Sequence, residues 1–209
     1  QLGQFFTPAS IADFMAAMFT NNNTKYCRLL DAGAGIGSLS SAFLDRWIDG
    51  KFDFQDVAVE AFEIDESLNS FLTNSLQKFN GHQNYSFSIR NDDFIHSAVD
   101  HLSGSLFAEK LEGYIHAILN PPYKKIQNNA PHRNALKKVG IETVNLYSAF
   151  VALSLLLLDN GGQLVTIIPR SFCNGLYYRP FRNFLIKHAA IKHIHLFTSR
   201  NNAFKDDDV

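Results

Sequence analysis

With 209 residues, 46% of them apolar and 13% aromatic, the chain holds enough hydrophobic mass for one well-packed domain. Its net charge of −1 argues neither for nor against a polyanionic partner, and its two cysteines, Cys27 and Cys173, lack the paired spacing of a disulfide framework or zinc knuckle. The longest apolar run, Ala149 to Leu158, is far short of the roughly 20 residues that cross a bilayer, and no signal pattern precedes the first helix, so a soluble cytoplasmic protein with two buried, reduced cysteines is the expectation.

The charge is unevenly placed. Residues 1–120 carry 7 Lys and Arg against 15 Asp and Glu, whereas residues 121–209 carry 12 against 5. One edge of the molecule is therefore expected to face anions.

"QFFTPASIADFMAAMF" predicts a loop and then a helix with Pro8 near its first turn. Short β-type runs then alternate with helical patterns: "RLLDAG", "GSLSSAFLDRWID", "VAVEAFEID", "ESLNSFLTNSLQKFN" and "YSFSIRNDDF". Further strands are expected at "YIHAIL", "GQLVTIIP" and "IKHIHLF", with a buried helix at Leu146 to Leu158 that ends at the glycines of "DNGG". Helices separating apolar strands indicate βαβ units and a doubly wound α/β fold with a mostly parallel sheet. Lys124 to Glu142 is basic and shows no clear period, so it is expected as a long loop.

Between the first strand and the next helix, "LLDAGAGIG" places Gly33, Gly35 and Gly37, which permit a tight turn and a close backbone approach to a ligand. Such a loop fits a nicotinamide enzyme, a methyltransferase or a simple βα turn. Its neighbours narrow the choice. Glu63 ends the second strand, where a carboxylate can accept both hydroxyls of a ribose, and Ile64 follows it. Asp93 and Phe94 follow the third strand, suited to an adenine amino group and a purine face. Asp31 ends the first strand and suits a ligand cation. Three acids with no Lys or Arg in the glycine loop disfavour pyrophosphate and favour an adenosine-bearing cation such as S-adenosylmethionine.

"ILNPPYKK" ends the fourth strand with two residues whose φ is fixed near −65°, holding Asn120 and Tyr123 still. The Asn120 side-chain oxygen and the Pro121 carbonyl form a candidate pair of acceptors for an amino group, with Pro122 stiffening the turn and Tyr123 offering a ring to stack on a base. A second ring is expected from "NGLYYRPFRNF", with Tyr178 favoured, although these aromatics could equally be packing. Lys124, Lys125, Arg133, Lys137 and Lys138 make either a phosphate clamp or a solvated lid, and Arg179 and Arg182 could extend the strip. His188, His193 and His195 have no Cys or carboxylate beside them, so no metal site is expected there.

"FFTP", "LLDAGAGIG", "FEID", "NDDF", "ILNPPY" and "NLYSAF", in this order, resemble the gamma-type N6-adenine-specific DNA methyltransferases of restriction–modification systems. The resemblance runs from about Gln4 to Asp208. It implies a class I methyltransferase fold whose seventh, antiparallel strand is missing here, which would leave an open sheet edge. It places Thr7 near the cofactor carboxylate, Asp31 and Gly33 along its methionine part, Glu63 on its ribose, and Asp93 with Phe94 around its adenine.

It further implies one catalytic domain. Residues 1–24 would be an N-terminal loop and helix, 25–120 the cofactor-binding half, and 121–209 the half that receives the target base. Double-stranded DNA is the expected partner, and a target-recognition domain and a nuclease are expected elsewhere on a longer chain or on a partner subunit. This piece alone is expected to bind cofactor and methylate poorly. Two alternatives stay open: the same chemistry on ribosomal RNA or a protein glutamine, and a non-catalytic module of a larger assembly.

Overall fold

The computed structural model describes residues 6–22, 24–105, 111, 113–127 and 130–197. The tail "NNAFKDDDV", where a terminal strand was expected to be missing, lies outside the described residues.

Five strands form one parallel sheet: β1 (Tyr26–Ala32), β2 (Asp56–Phe62), β3 (Tyr85–Arg90), β4 (Tyr114–Leu119) and β5 (Leu158–Thr166), in the spatial order β3-β2-β1-β4-β5. Among the described residues seven α-helices cover it: α1 (Ala9–Ala17), α2 (Ser38–Ile48), α3 (Asn69–Gln77), α4 (Phe94–Leu102), α5 (Pro131–Lys138), α6 (Leu146–Leu157) and α7 (Arg179–His188). Alternation along β1 feeds two cores. Leu29 joins Val57, Val59 and Ile118 under α1, α2 and α3, while Leu30 and Ala32 join Ala117 and Leu119 under α4, α6 and α7. No described helix is long and apolar enough to cross a membrane.

The strand order reverses between β1 and β4. In an open parallel sheet such a switch point leaves a crevice beyond the carboxyl ends of the two strands, because their connections leave in opposite directions. The glycine loop follows β1 and Asn120 follows β4, so the topology brings both to that crevice.

Four local expectations need correcting. "IKHIHLF" forms no strand: residues 191–197 are outside the sheet, with Ile191, Ile194 and Leu196 exposed. A strand needs a neighbouring edge to bond, and among the described residues this segment instead rests on α1 through His195 and Phe14, ring centroids 4.7 Å apart. The 124–142 stretch is no simple loop, since Pro131 starts α5 and the helix buries Ala135 and Leu136. α6 ends at Leu157 without a left-handed cap; "DNGG" instead sits within β5, where Gly161 has φ +82° and the pairing with β4 shifts register. Cys27 is buried, but Cys173 is exposed.

Candidate active site

The glycine loop takes its shape from backbone angles that only glycine adopts at low cost. Gly33, Gly35 and Gly37 have φ of +80°, +57° and +85°. At Gly37 space is also short, since a Cβ would stand 3.0 Å from Leu72 Cδ1 and 3.2 Å from Ser75 Cβ. Gly37 then caps α2, whose first amide groups face the crevice end of β1.

Asp31 is completely buried beneath this loop. Its Oδ2 accepts from the Ser40 hydroxyl at 2.5 Å, and its Oδ1 has no hydrogen-bond partner among the described residues. Burial pushes its pKa up to about 7, against the opposing Ser40 hydrogen bond and with a smaller contribution from Glu63. A buried carboxylate with an unmatched oxygen is a site prepared for a cation or a donor. Glu63, also buried, accepts from the Gly35 amide and the Asp65 amide, both at 2.8 Å, which ties the end of β2 to the loop. Ile64 beside it is half exposed.

Asp93 caps α4, its Oδ1 accepting from the His96 amide at 3.0 Å while its Oδ2 meets His132 Nε2 at 2.8 Å. Phe94 is buried, packed against Phe62 and Phe150 with centroids 5.2 and 5.0 Å away. Its ring is therefore mostly committed to the core.

Asn120 is the meeting point of both halves. Its Nδ2 donates to the Thr7 hydroxyl at 3.0 Å, and the Tyr123 hydroxyl donates to its Oδ1 at 3.1 Å. The Tyr123 hydroxyl is equally close, 3.1 Å, to the Ile167 carbonyl. Pro121 is buried, and Pro122 and Tyr123 are partly buried. Thr7 thus reaches Asn120 from the N-terminal segment, and the same segment lays the Phe6 ring over Gly35. What remains between Phe6, Thr7, the glycine loop and Asn120 is a narrow cleft of about 20 Å³.

From Tyr123 an aromatic row runs outward. The Tyr123 ring meets Tyr147 edge-on at 6.3 Å, and Tyr147 meets Tyr178 at 6.2 Å. Tyr178 is partly buried, its hydroxyl 3.4 Å from both Asn145 Nδ2 and Ser171 Oγ. Lys124 and Lys125 are exposed at the start of a strap pinned to residues 144–146 by Ile126 N to Val144 O and Leu146 N to Lys124 O, at 2.7 and 2.8 Å. Lys137 and Lys138 are exposed in the last turn of α5, and Arg133 is partly buried in its first. Arg182 does other work, donating to the carbonyls of Phe172, Asn174 and Gly175 and so tying that turn to α7.

Sequence reasoning did not find Ser40, Tyr147 or His132. Tyr147 stands inside "NLYSAF", whose position was noted without its ring being assigned, and His132 stands on the helix that the basic composition concealed.

Residues 18–204 match the family model of the Eco57I restriction-modification methylase. The chain belongs to that family. It is 52% identical over its whole length to the type II methyltransferase M.BsuBI of Bacillus subtilis and 40% identical to the type II methyltransferase M.PstI of Providencia stuartii, covering 42% and 41% of those proteins. It therefore spans about two-fifths of these relatives. Among solved structures, a putative class I S-adenosylmethionine-dependent methyltransferase from Listeria monocytogenes aligns with 90% of this chain and 53% of its own, at 15% identity and a TM-score of 0.63. The methyltransferase subunit of a type I restriction-modification system from Streptococcus thermophilus aligns with 90% of this chain and 39% of its own, at 18% identity and a TM-score of 0.60. The fold is that of the class I methyltransferases, as the sequence order implied.

Proposed function

We propose that the chain is the catalytic domain of a DNA methyltransferase that moves a methyl group from S-adenosylmethionine to the N6 amino group of an adenine flipped out of the duplex. The observation that carries this reading is the Asn120 amide, held between Thr7 and Tyr123 at the switch point, at the end of the strand beside that of the buried Asp31, whose Oδ1 is unmatched among the described residues.

The residues present fit S-adenosylmethionine. Asp31 Oδ1 would receive the α-ammonium, directly or through a donor. Glu63, oriented by the Gly35 and Asp65 amides, would receive the ribose hydroxyls. Ile64 and Phe94 flank the position expected for the adenine, and Asp93 its amino group. The positive-φ glycines leave the backbone bare where the methionine part would lie. Since the cleft is wide enough for little more than a water molecule, entry of such a ligand displaces the Phe6 ring from Gly35.

The bound cofactor supplies an electrophilic methyl. The protein's task is to make a poor nucleophile better, because an adenine amino lone pair is delocalised into its ring. Asn120 Oδ1 and the Pro121 carbonyl accept the two amino hydrogens, and the nitrogen is drawn toward tetrahedral geometry. Tyr123 has one proton for two acceptors, so donating it to the Ile167 carbonyl leaves Asn120 Oδ1 for the base. Thr7, accepting from Nδ2, helps hold the Asn120 amide in this orientation. No general base is required; the rate comes from positioning and fixed dipoles.

The ring of Tyr123 stacks on the extruded base and offsets part of an unstacking cost of a few kcal/mol. Tyr178 supplies the second face. The basic strap and α5 hold phosphates, and a target-recognition domain on the rest of a longer chain or on a partner selects the sequence. The family model, that of a restriction-modification methylase, and the relatives' names, type II methyltransferases, support this reading.

The test is transfer of tritiated methyl groups by the full-length protein to unmethylated DNA, with ribosomal RNA and a glutamine-bearing protein as competing substrates. DNA labelled at adenine N6 is the expected result, with Asn120→Ala slowing single turnover by about 100-fold or more while cofactor affinity persists. Labelling of RNA or protein alone would overturn the proposal.

A further inference from the structure

At the start of α4, to one side of the Asp31 and Asn120 centre, ligand-type side chains from two helices converge. Asp93 Oδ2 lies 2.8 Å from His132 Nε2, the His96 and His132 rings stand 4.9 Å apart at 43°, and one ligand atom from each of the three residues lies within 4.8 Å of the others. The geometry points to a divalent transition-metal site in which Asp93, His96 and His132 each supply one ligand and through which α5 is cross-linked to α4.

The ligand set decides the class of ion. Two imidazoles and one carboxylate suit Zn²⁺, Co²⁺ or Ni²⁺, whereas Mg²⁺ and Ca²⁺ take oxygen ligands almost throughout. Three protein ligands leave a fourth position to water, the pattern of an open tetrahedral site. With metal bonds of about 2.0–2.1 Å, tetrahedral ligands stand about 3.3 Å apart. The Asp93–His132 pair must therefore open by a few tenths of an ångström, and His96 must close by rotation about a soft χ2. The second Asp93 oxygen can continue to cap α4, because only Oδ2 faces His132.

The site is reachable, with side-chain exposures of 28% for Asp93 and 30% for His132. Its two histidines are separated by 36 positions in sequence and by one strand, so their convergence comes from packing of α5 on α4 rather than from a local motif. Metal there would fix the segment that carries Arg133, Lys137 and Lys138 against the acidic half of the molecule. The inference requires nothing of Asn120, but it shares a carboxylate with the proposed cofactor site: with Oδ2 on the metal, the adenine amino group would be left to Oδ1, which already caps α4.

A simple ion pair between Asp93 and His132 would leave His96 a bystander, and this separates the two accounts. Untagged full-length protein, stripped with a chelator, would be titrated with Co²⁺ and then Zn²⁺. The expected result is one Co²⁺ per chain with intense visible absorption, displacement by Zn²⁺, and a Zn²⁺ affinity weakened roughly tenfold or more in both His96→Gln and His132→Gln. Zn²⁺ should also raise the melting temperature of the wild type and leave that of His96→Gln unchanged. If no saturable binding occurs below millimolar Zn²⁺, or if His96→Gln binds Zn²⁺ as tightly as the wild type, the site is refuted. His96→Gln decides the matter even if His132→Gln folds poorly, because the His96 side chain takes no part in the Asp93–His132 pair.

Discussion

Glu60 of β2 and Asp31 of β1 lie on adjacent strands one position apart in register, and both are buried, yet their surroundings are opposite. Glu60 has cations on two sides, Arg90 at 3.3 Å and Arg28 at 3.6 Å, and accepts from the Tyr114 hydroxyl at 2.8 Å. Asp31 has a serine hydroxyl and an unmatched oxygen. Burying a charge costs several kcal/mol unless partners restore what water supplied. The Glu60 network restores it inside the fold, whereas Asp31 Oδ1 meets no such partner among the described residues.

The largest effect expected comes from breaking the satisfied side. Glu60→Ala removes the carboxylate that Arg28 and Arg90 share and the acceptor of the buried Tyr114 hydroxyl, while Arg90 keeps Asp92 at 3.0 Å, and should cost about 3–5 kcal/mol in urea denaturation. A loss below about 1 kcal/mol would mean that water reaches Arg28 and Arg90, and the contrast with Asp31 would collapse.

Asp31→Asn should act in the other direction. The native pKa of Asp31, about 7 against an ordinary 3.8, is raised, so the wild type is penalised as pH rises from 3.8 through 7, and the penalty is full above that. At 1.36 kcal/mol per unit the penalty approaches about 4 kcal/mol at pH 8. The asparagine variant should therefore be more stable than the wild type at pH 8, equal to it near pH 4, and at least about tenfold weaker in binding S-adenosylmethionine. Equal stability at both pH values would show that the Asp31 charge is already compensated.

His116 sharpens the same contrast from the basic side. It is fully buried on β4 among Phe19, Phe43 and Phe54, with Cys27 Sγ 3.3 Å from its Nδ1 and no hydrogen-bond partner for its Nε2 among the described residues. Burial lowers its pKa from 6.5 to about 4. A depressed pKa on a base means that its contribution is intact above pH 6.5 and is lost as pH falls toward 4, by about 3 kcal/mol. Over this window Asp31 pulls the wild-type curve the other way, so the acid-side loss should stand out in Asp31→Asn and flatten in Asp31→Asn with His116→Phe. Parallel curves for the single and double variants would show that His116 is not held neutral.

How much of this was legible in the sequence follows from the range of each interaction. The alternation of strands and helices, the glycine turn and the acids at strand ends depend on neighbours a few residues away, and those elements stand where periodicity put them. "IKHIHLF" alternates as well as any of them, but alternation reports only two-sidedness, and a strand also needs an edge to bond. α5 was hidden because a single buried turn, Ala135 and Leu136, is a weak signal among lysines and arginines. In the site, Asn120, Asp31 and Glu63 could be named from their positions after strands. The contacts that orient them could not be, since Thr7 reaches Asn120 across 113 positions and His132 reaches Asp93 across 39.

The Thr7 contact gives the smallest effect and the finest discrimination. Its hydroxyl accepts from Asn120 Nδ2 while the Tyr123 hydroxyl donates to Oδ1, so these contacts together hold one of the two orientations that the similar-shaped ends of the amide allow. Thr7→Val removes the acceptor and keeps the volume. Loss of about 0.5–1.5 kcal/mol of orientation should lower kcat roughly 2- to 10-fold, leave KM for the cofactor unmoved, and be reversed in Thr7→Ser. If Thr7 instead holds the cofactor carboxylate, as the family resemblance implies, the same variant should raise KM for the cofactor and spare kcat. The two outcomes assign the hydroxyl to different partners: a shift confined to KM would remove Thr7 from the methyl-accepting side of the crevice and leave Tyr123 as the side chain that sets the Asn120 amide.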